Sequence, residues 1–194
     1  MRRMNQLETI YQVAYLTGGP DRVTDTAVAG ALERKVARLD RSGVLRRSSA
    51  KPADPFVLAV VESLPKVRIE RVREALRESE PMRSLRAALL ADGLVVTAYH
   101  WRRAWHAVTV RLGRAHREVW TTKAGESALS RASEDPALVT GATGAVALGG
   151  LAAYPDQRSA RLLTLKTPST RGRAQVAVGA PYDGLTDVVD GSPD

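Results

Sequence analysis

The apolar positions of this chain fall into helical stripes that are twice broken by a short run of strand character. Leu85 to Thr97 shows the pattern best. Leu85, Ala88 and Leu89 recur at helical spacing, Asp92-Gly93 stops the helix, and Leu94-Val95-Val96 follows as a short apolar strand. Gly93 stands where helices commonly exit through a left-handed residue, a conformation glycine adopts without steric penalty. The same order of helix, stop and strand occurs once before, at Ala27 to Arg46. The two copies predict two halves that pack on each other.

Taken in order, Leu7, Ile10, Tyr11, Ala14 and Tyr15 predict a first helix ended by Gly18-Gly19, and Pro20 suits the first turn of a second. There Val23, Ala27, Val28, Ala31 and Leu32 form one apolar stripe. Val36 to Leu39, the turn Asp40-Arg41-Ser42-Gly43 and Val44 to Arg47 read as a hairpin with Gly43 left-handed. Ser48 to Ala53 is a polar linker. Asp54 caps and Pro55 opens a third helix that Pro65 ends, with Phe56, Val57, Val60, Val61 and Leu64 apolar. Ile69, Val72, Ala75 and Leu76 face one side of a fourth, and Ser79 and Pro81 start the fifth. Val108, Val110 and Leu112 alternate as a strand returning beside Leu94 to Val96, and Glu118 to Thr121 offers another. Thr121-Thr122 caps a helix carrying Ala124, Ala128, Leu129 and Ala132.

From Pro136 through Pro155 the chain carries no charge. Its length suits a membrane span, yet its glycines and alanines make it weakly hydrophobic, whereas a span wants about 20 strongly apolar residues. A buried helix that lets neighbours approach closely is the better reading. One more short helix follows at Pro155 to Leu165, and the segment 166–194, rich in Gly, Pro, Asp, Ser and Thr, reads as a disordered tail. The expected organisation is therefore one α+β, mostly α-helical domain over residues 1–165. It is built from two winged-helix-like halves (about 5–50 and 54–132), each with a β-hairpin, plus C-terminal helices at 136–165.

Composition changes the picture in three ways. At 194 residues the chain needs no staple, since a domain of ~150 residues buries roughly 68–70% of its unfolded surface. The absence of cysteine removes disulfides, thiol catalysis and cysteine metal sites, and agrees with a cytoplasmic setting. The net charge of +8, carried mostly by arginine, favours polyanions, although an arginine-rich proteome also yields basic proteins with no such role. The N-terminus runs from Arg2-Arg3 into Glu8 with no apolar core, so it does not read as a signal peptide.

Catalysis finds little support. His100, His106 and His116 stand in one basic segment at spacings that match no metal pattern, and Glu118 is the carboxylate nearby. Gly18-Gly19-Pro20 lacks the Lys-Ser/Thr that a phosphate loop requires. The expectation is a protein without enzymatic activity and without a cofactor or metal. Tyr99 to Lys123 is the segment with functional texture. Tyr99, Trp101, Trp105 and Trp120 interleave there with Arg102, Arg103, Arg111, Arg114, Arg117 and Lys123. Amphipathic aromatics favour the headgroup boundary, and each Lys/Arg beside an anionic leaflet adds roughly 1 kcal/mol. Equally, such tryptophans suit a core and such arginines a solvated surface. Trp101, Arg102, Arg103, Trp105, Arg111, Arg114 and Arg117 are the candidate contacts to an anionic lipid surface or a protein partner. The alternative is a winged-helix DNA-binding protein whose Arg83 and Arg86 reach phosphates or bases.

Tyr11-Gln12-Val13-Ala14-Tyr15-Leu16-Thr17-Gly18-Gly19-Pro20 resembles the Tyr-x-x-Ala-Tyr-Leu-x-Gly-Gly-Pro motif of an uncharacterised actinobacterial family. The Asp54-Pro55 helix start, the Leu85 to Leu94 run, the Thr122 to Gly125 motif and the Ala/Gly helix at Val146 to Ala153 are similar as well, over most of residues 7–165. No activity is known for that family, so the resemblance implies no catalytic residues. Its members usually carry transmembrane helices between the Gly-Leu-Val strand and the Thr-x-Ala-Gly motif, where this chain has a short basic segment instead. The order of elements is also similar, more distantly, to Golgi phosphoprotein 3-like proteins, helical phosphoinositide binders that sit peripherally on membranes. Together these imply a cytoplasmic interaction or adapter module, peripheral to the inner face of the plasma membrane.

Overall fold

A capping box starts the first helix. The Thr9 hydroxyl accepts the Gln12 N–H while the Gln12 side chain accepts the N–H of Thr9, and α1 runs from there over Ile10–Glu33. The computed structural model describes residues 7–48, 50, 52–64, 67–97 and 119–164. Gly19 breaks α1 with φ 72 and ψ −160 and Pro20 begins its second arm, so the two expected helices are both present, one on each side of that kink. The stripe expected on the second arm understates its burial. Every residue from Val23 to Ala31 is buried, because α1 meets packed helices on all sides. The Thr24 and Thr26 hydroxyls survive there by donating to the carbonyls of Pro20 and Arg22, one turn back.

The first arm is tied to α2 (Pro55–Glu62) through Asp54. That side chain caps α2 by accepting from the N–H groups of Phe56 and Val57, and also accepts the Tyr11 hydroxyl at 2.8 Å. Burial and this neighbouring carboxylate together hold the Tyr11 hydroxyl protonated well beyond the ordinary tyrosine range.

The two halves leave their long helices by the same turn. After α1, Lys35 takes φ 57, its N–H bonds to the Leu32 carbonyl and that of Val36 to Ala31. After α4 (Glu80–Ala91), Gly93 takes φ 66, its N–H bonds to Leu90 and that of Leu94 to Leu89. Both are Schellman exits. Only the second uses the residue type that suits it. Lys35→Gly is therefore expected to raise the unfolding free energy by about 0.5–1 kcal/mol, read by denaturant titration, since a side chain in the left-handed region is strained there.

The first exit leads into β1 (Ala37–Leu39) and β2 (Leu45–Arg47), antiparallel with Arg38 opposite Arg46 and Leu39 opposite Leu45. Asp40 holds the turn by accepting from Ser42 and from the Val44 N–H, and Gly43 has φ 76. These bonds favour its ionised form and keep the Asp40 carboxyl well below the usual carboxylate range. The Leu45 N–H bonds to the Val67 carbonyl at 2.9 Å and fastens the hairpin to the chain entering α3 (Ile69–Arg77).

The second exit leads into β3 (Val95–Thr97), which pairs antiparallel with β4 (Val119–Thr121). The run expected as a returning strand, Val108 to Leu112, lies outside the described residues; the partner seen for β3 is the run from Val119. Thr122 then caps α5 (Lys123–Ser133). The uncharged stretch is divided, not one helix. Gly141 at φ 73 separates α6 (Pro136–Val139) from α7 (Gly141–Gly149), and a 3-10 turn (Leu151–Ala153) precedes α8 (Gln157–Thr164). α7 lies along α1 with Val146 and Ala147 fully buried. Gly30 on α1 faces the Thr143 methyl on α7, where an added methyl would stand 3.1 Å away, so alanine and glycine set this close approach.

The fold is thus α+β and mostly α-helical, with short antiparallel strand pairs. Its described core is one cluster running from Leu7 to Leu163, shared by both halves and the C-terminal helices. Among the described residues no helix is long and apolar enough to cross a membrane. The tail at 166–194 lies outside them.

Candidate functional site

The paired strands β3 and β4 determine how the basic aromatic segment is attached. Thr97 stands opposite Val119, Val96 opposite Trp120 and Val95 opposite Thr121. The chain between, residues 98–118, therefore leaves and returns at adjacent positions on one two-stranded ribbon. Leu94 and Val95, at the start of this ribbon, are buried. The Thr121 hydroxyl donates to the Leu16 carbonyl on α1 at 3.3 Å. Thr122 fastens the ribbon to α5: its N–H bonds to the Leu94 carbonyl, its hydroxyl donates to Gly93 at 2.8 Å, and the same oxygen accepts the Gly125 N–H. Gly125 fits because its missing side chain leaves room for the Leu94 carbonyl oxygen, which a Cβ would overlap. The Thr-x-Ala-Gly motif is accordingly a clasp between helix and strand.

Of the candidate surface contacts, Trp101, Arg102, Arg103, Trp105, Arg111, Arg114 and Arg117 all lie outside the described residues, as do the three histidines. Trp120 is described and is half-buried in β4. Arg83 and Arg86 both lie on α4. Arg83 is exposed and forks onto Glu80 at 2.7 and 3.2 Å, which draws the Glu80 carboxyl below its ordinary range; Arg86 is half-buried.

The polar group that sequence reasoning missed lies inside. Asp25, in the buried arm of α1, receives both arms of the Arg73 guanidinium from α3, at 2.9 and 2.8 Å. One turn earlier Asp21 pairs with Arg77 at 2.9 Å, and Arg22 donates to the Val146 carbonyl of α7 at 3.2 Å. Burial pushes the Asp25 carboxyl up to about 6, against the opposing pull of Arg73 and the weaker one of Arg22, with Asp21 adding to the rise. This bidentate pair joins α1 and α3 through residues 48 positions apart in sequence. A carboxylate among valines and alanines gave no signal of its partner. Among the described residues, every buried side-chain nitrogen and oxygen has a hydrogen-bond partner, and no group of three or more His, Asp or Glu is placed to hold a metal.

No protein-family model matches the chain, and no curated protein or solved structure matches it significantly.

Proposed function

We propose that this protein is a non-enzymatic interaction module that docks on an anionic membrane surface through residues 98–118. The observation that carries the reading is the register of β3 against β4. It gathers the two ends of a segment with five arginines, Trp101, Trp105 and Tyr99 onto one ribbon anchored to α1 and α5. Glu118 is the segment's lone acid, so its charge is +4 with histidines neutral, from five arginines less one glutamate. At ~1 kcal/mol per cation near an acidic leaflet, with indoles suited to the headgroup boundary, such a segment supports peripheral binding without a span. The resemblance to a family with membrane helices at this position points the same way, and a cytoplasmic site on the inner leaflet is the setting it implies.

The winged-helix-like outline keeps DNA as the rival. Two observations favour the membrane. The helix arm before the first hairpin is buried on all sides, so it is not free to enter a groove, and on α4 the charge of Arg83 is already engaged by Glu80.

The test is flotation with phosphatidylcholine vesicles, with and without phosphatidylserine. The protein is expected to float with the acidic vesicles, and less well when Arg102, Arg103 and Arg111 are changed to glutamine. Equal failure to float in both overturns the reading. Salt-dependent retention on duplex DNA that falls when Arg83 and Arg86 become alanine establishes the rival instead.

A further inference from the structure

The first hairpin carries a second concentration of positive charge, arranged differently from the first. Asp40 is the lone acid between Glu33 and Asp54, while Lys35, Arg38, Arg41, Arg46 and Arg47 are all exposed. Pairing places Arg38 directly opposite Arg46, and alternation sets both on the ribbon face away from Ala37 and Leu45, which are buried. Like charges directly opposite across strands repel. Asp40 relieves part of this by pairing with Arg46, and leaves Arg38 without a carboxylate among the described residues. One of its oxygens accepts from Ser42 and Val44, and the other is taken by Arg46 at 3.2 and 3.3 Å.

The contrast with the helices is informative. On α3 and α4, Arg71, Arg73, Arg77 and Arg83 each stand within 3 Å of a carboxylate oxygen. Lys35, Arg38, Arg41 and Arg47 have no ion pair among the described residues. Arg73 and Arg77 pair across to α1 and Arg71 and Arg83 pair within their own helices, whereas on the hairpin, among the described residues, Arg46 alone has a carboxylate partner, Asp40 at 3.2 Å.

We infer that the β1–β2 hairpin is a second cationic contact of the protein, meeting the same acidic bilayer as residues 98–118 through Arg38 and Arg46 on its outer face, Arg41 in its turn and Arg47, exposed at the end of β2. This rests on the membrane reading above. The ribbon is two strands of three residues, too short to lie along a groove. It offers charge alone, which suits headgroup phosphates and carboxylates. The strands that carry the two ends of residues 98–118 also stand well apart from the first hairpin. β4 is bonded to Leu16 before the break in α1, whereas β1 follows the far end of that helix, roughly 20 Å further along its second arm. A bilayer spans that distance and turns two weak contacts into one stronger one; a small soluble anion does not.

The experiment compares wild type with the Arg38→Gln, Arg41→Gln, Arg47→Gln triple variant in sedimentation with phosphatidylserine-containing vesicles. Arg46 is retained because it holds Asp40. Each lost cation is expected to weaken partitioning about fivefold, on the order of a hundredfold for the three, with an unchanged melting temperature. Wild type that binds vesicles, with a triple variant that binds equally well, overturns this inference and leaves the role of residues 98–118 standing. Wild type that ignores acidic vesicles overturns both. Binding to duplex DNA in place of vesicles, lost in the triple variant, also overturns it and assigns the hairpin to nucleic acid.

Discussion

Arg73→Met is expected to lower the unfolding free energy by about 3–5 kcal/mol at pH 8, and by much less at pH 5. The size follows from what the substitution leaves behind. Asp25 is 6% exposed, and both its oxygens are held by Arg73. Without the guanidinium, a carboxylate remains among apolar side chains with nothing of opposite charge in contact. The pH dependence has a definite sign. In the wild type, burial raises the Asp25 carboxyl from 3.8 to about 6, so the native state holds its proton more tightly than the unfolded chain. The associated stability is complete below pH ~4 and is lost as pH rises through about 6. Removing Arg73 takes away the main opposing pull, which lifts the carboxyl further and moves the loss to higher pH. The group is then largely neutral at pH 5 and the damage shrinks. Asp25→Asn is the companion variant: its stability relative to wild type should improve by about 2–3 kcal/mol between pH 4 and 8, because each tenfold difference in proton affinity between the native and unfolded carboxyl is worth ~1.4 kcal/mol. Urea titrations across that range measure both, and an Arg73→Met deficit that is equal at pH 5 and pH 8 contradicts the account.

Gly125→Ala should destabilise by about 2–3 kcal/mol, opposite in sign to the usual effect of alanine in a helix, where glycine is worse by about 1 kcal/mol. Gly125 lies in the first turn of α5 against the Leu94 carbonyl, and that oxygen accepts the Thr122 N–H. Because the obstacle is backbone, no side chain can rotate away. Either α5 shifts off β3 or the Thr122 clasp opens. A fall in melting temperature of roughly 5–10 °C by calorimetry is the expected reading. Ser127→Ala, an exposed change two residues on, provides the control and should be near neutral. Equal melting of the two variants would contradict the close approach at Gly125.

The boundaries of the helices were legible because they are written in local chemistry. Asp54-Pro55, Thr122 and Asp135-Pro136 announce starts through side chains that bond the first free N–H groups, and Gly19, Gly43 and Gly93 mark left-handed turns. Lys35 makes the same turn as Gly93 and was not legible, since a lysine carries no sign of its own φ. The full enclosure of α1 was hidden for another reason. Its stripe of valine and alanine predicts one buried face, while Thr24, Asp25 and Thr26 on the others are buried only because remote partners and helix carbonyls satisfy them. The Arg73 partner of Asp25 is a tertiary fact. On the functional side, composition located the basic aromatic segment, but the ribbon that joins its ends depends on a pairing between strands far apart in sequence. The first hairpin was legible as a hairpin and not as a charged surface, because only the register shows Arg38 and Arg46 side by side.

That junction of β3 and β4 has a practical corollary. Two strand ends held together by their own clasp make the intervening peptide an interchangeable cassette. Doubling its length adds only about 0.6 kcal/mol of closure entropy, so a change of length there is expected to cost the helical body little stability. Replacing residues 98–118 by a tight turn is, by the same reasoning, the natural way to obtain the body alone.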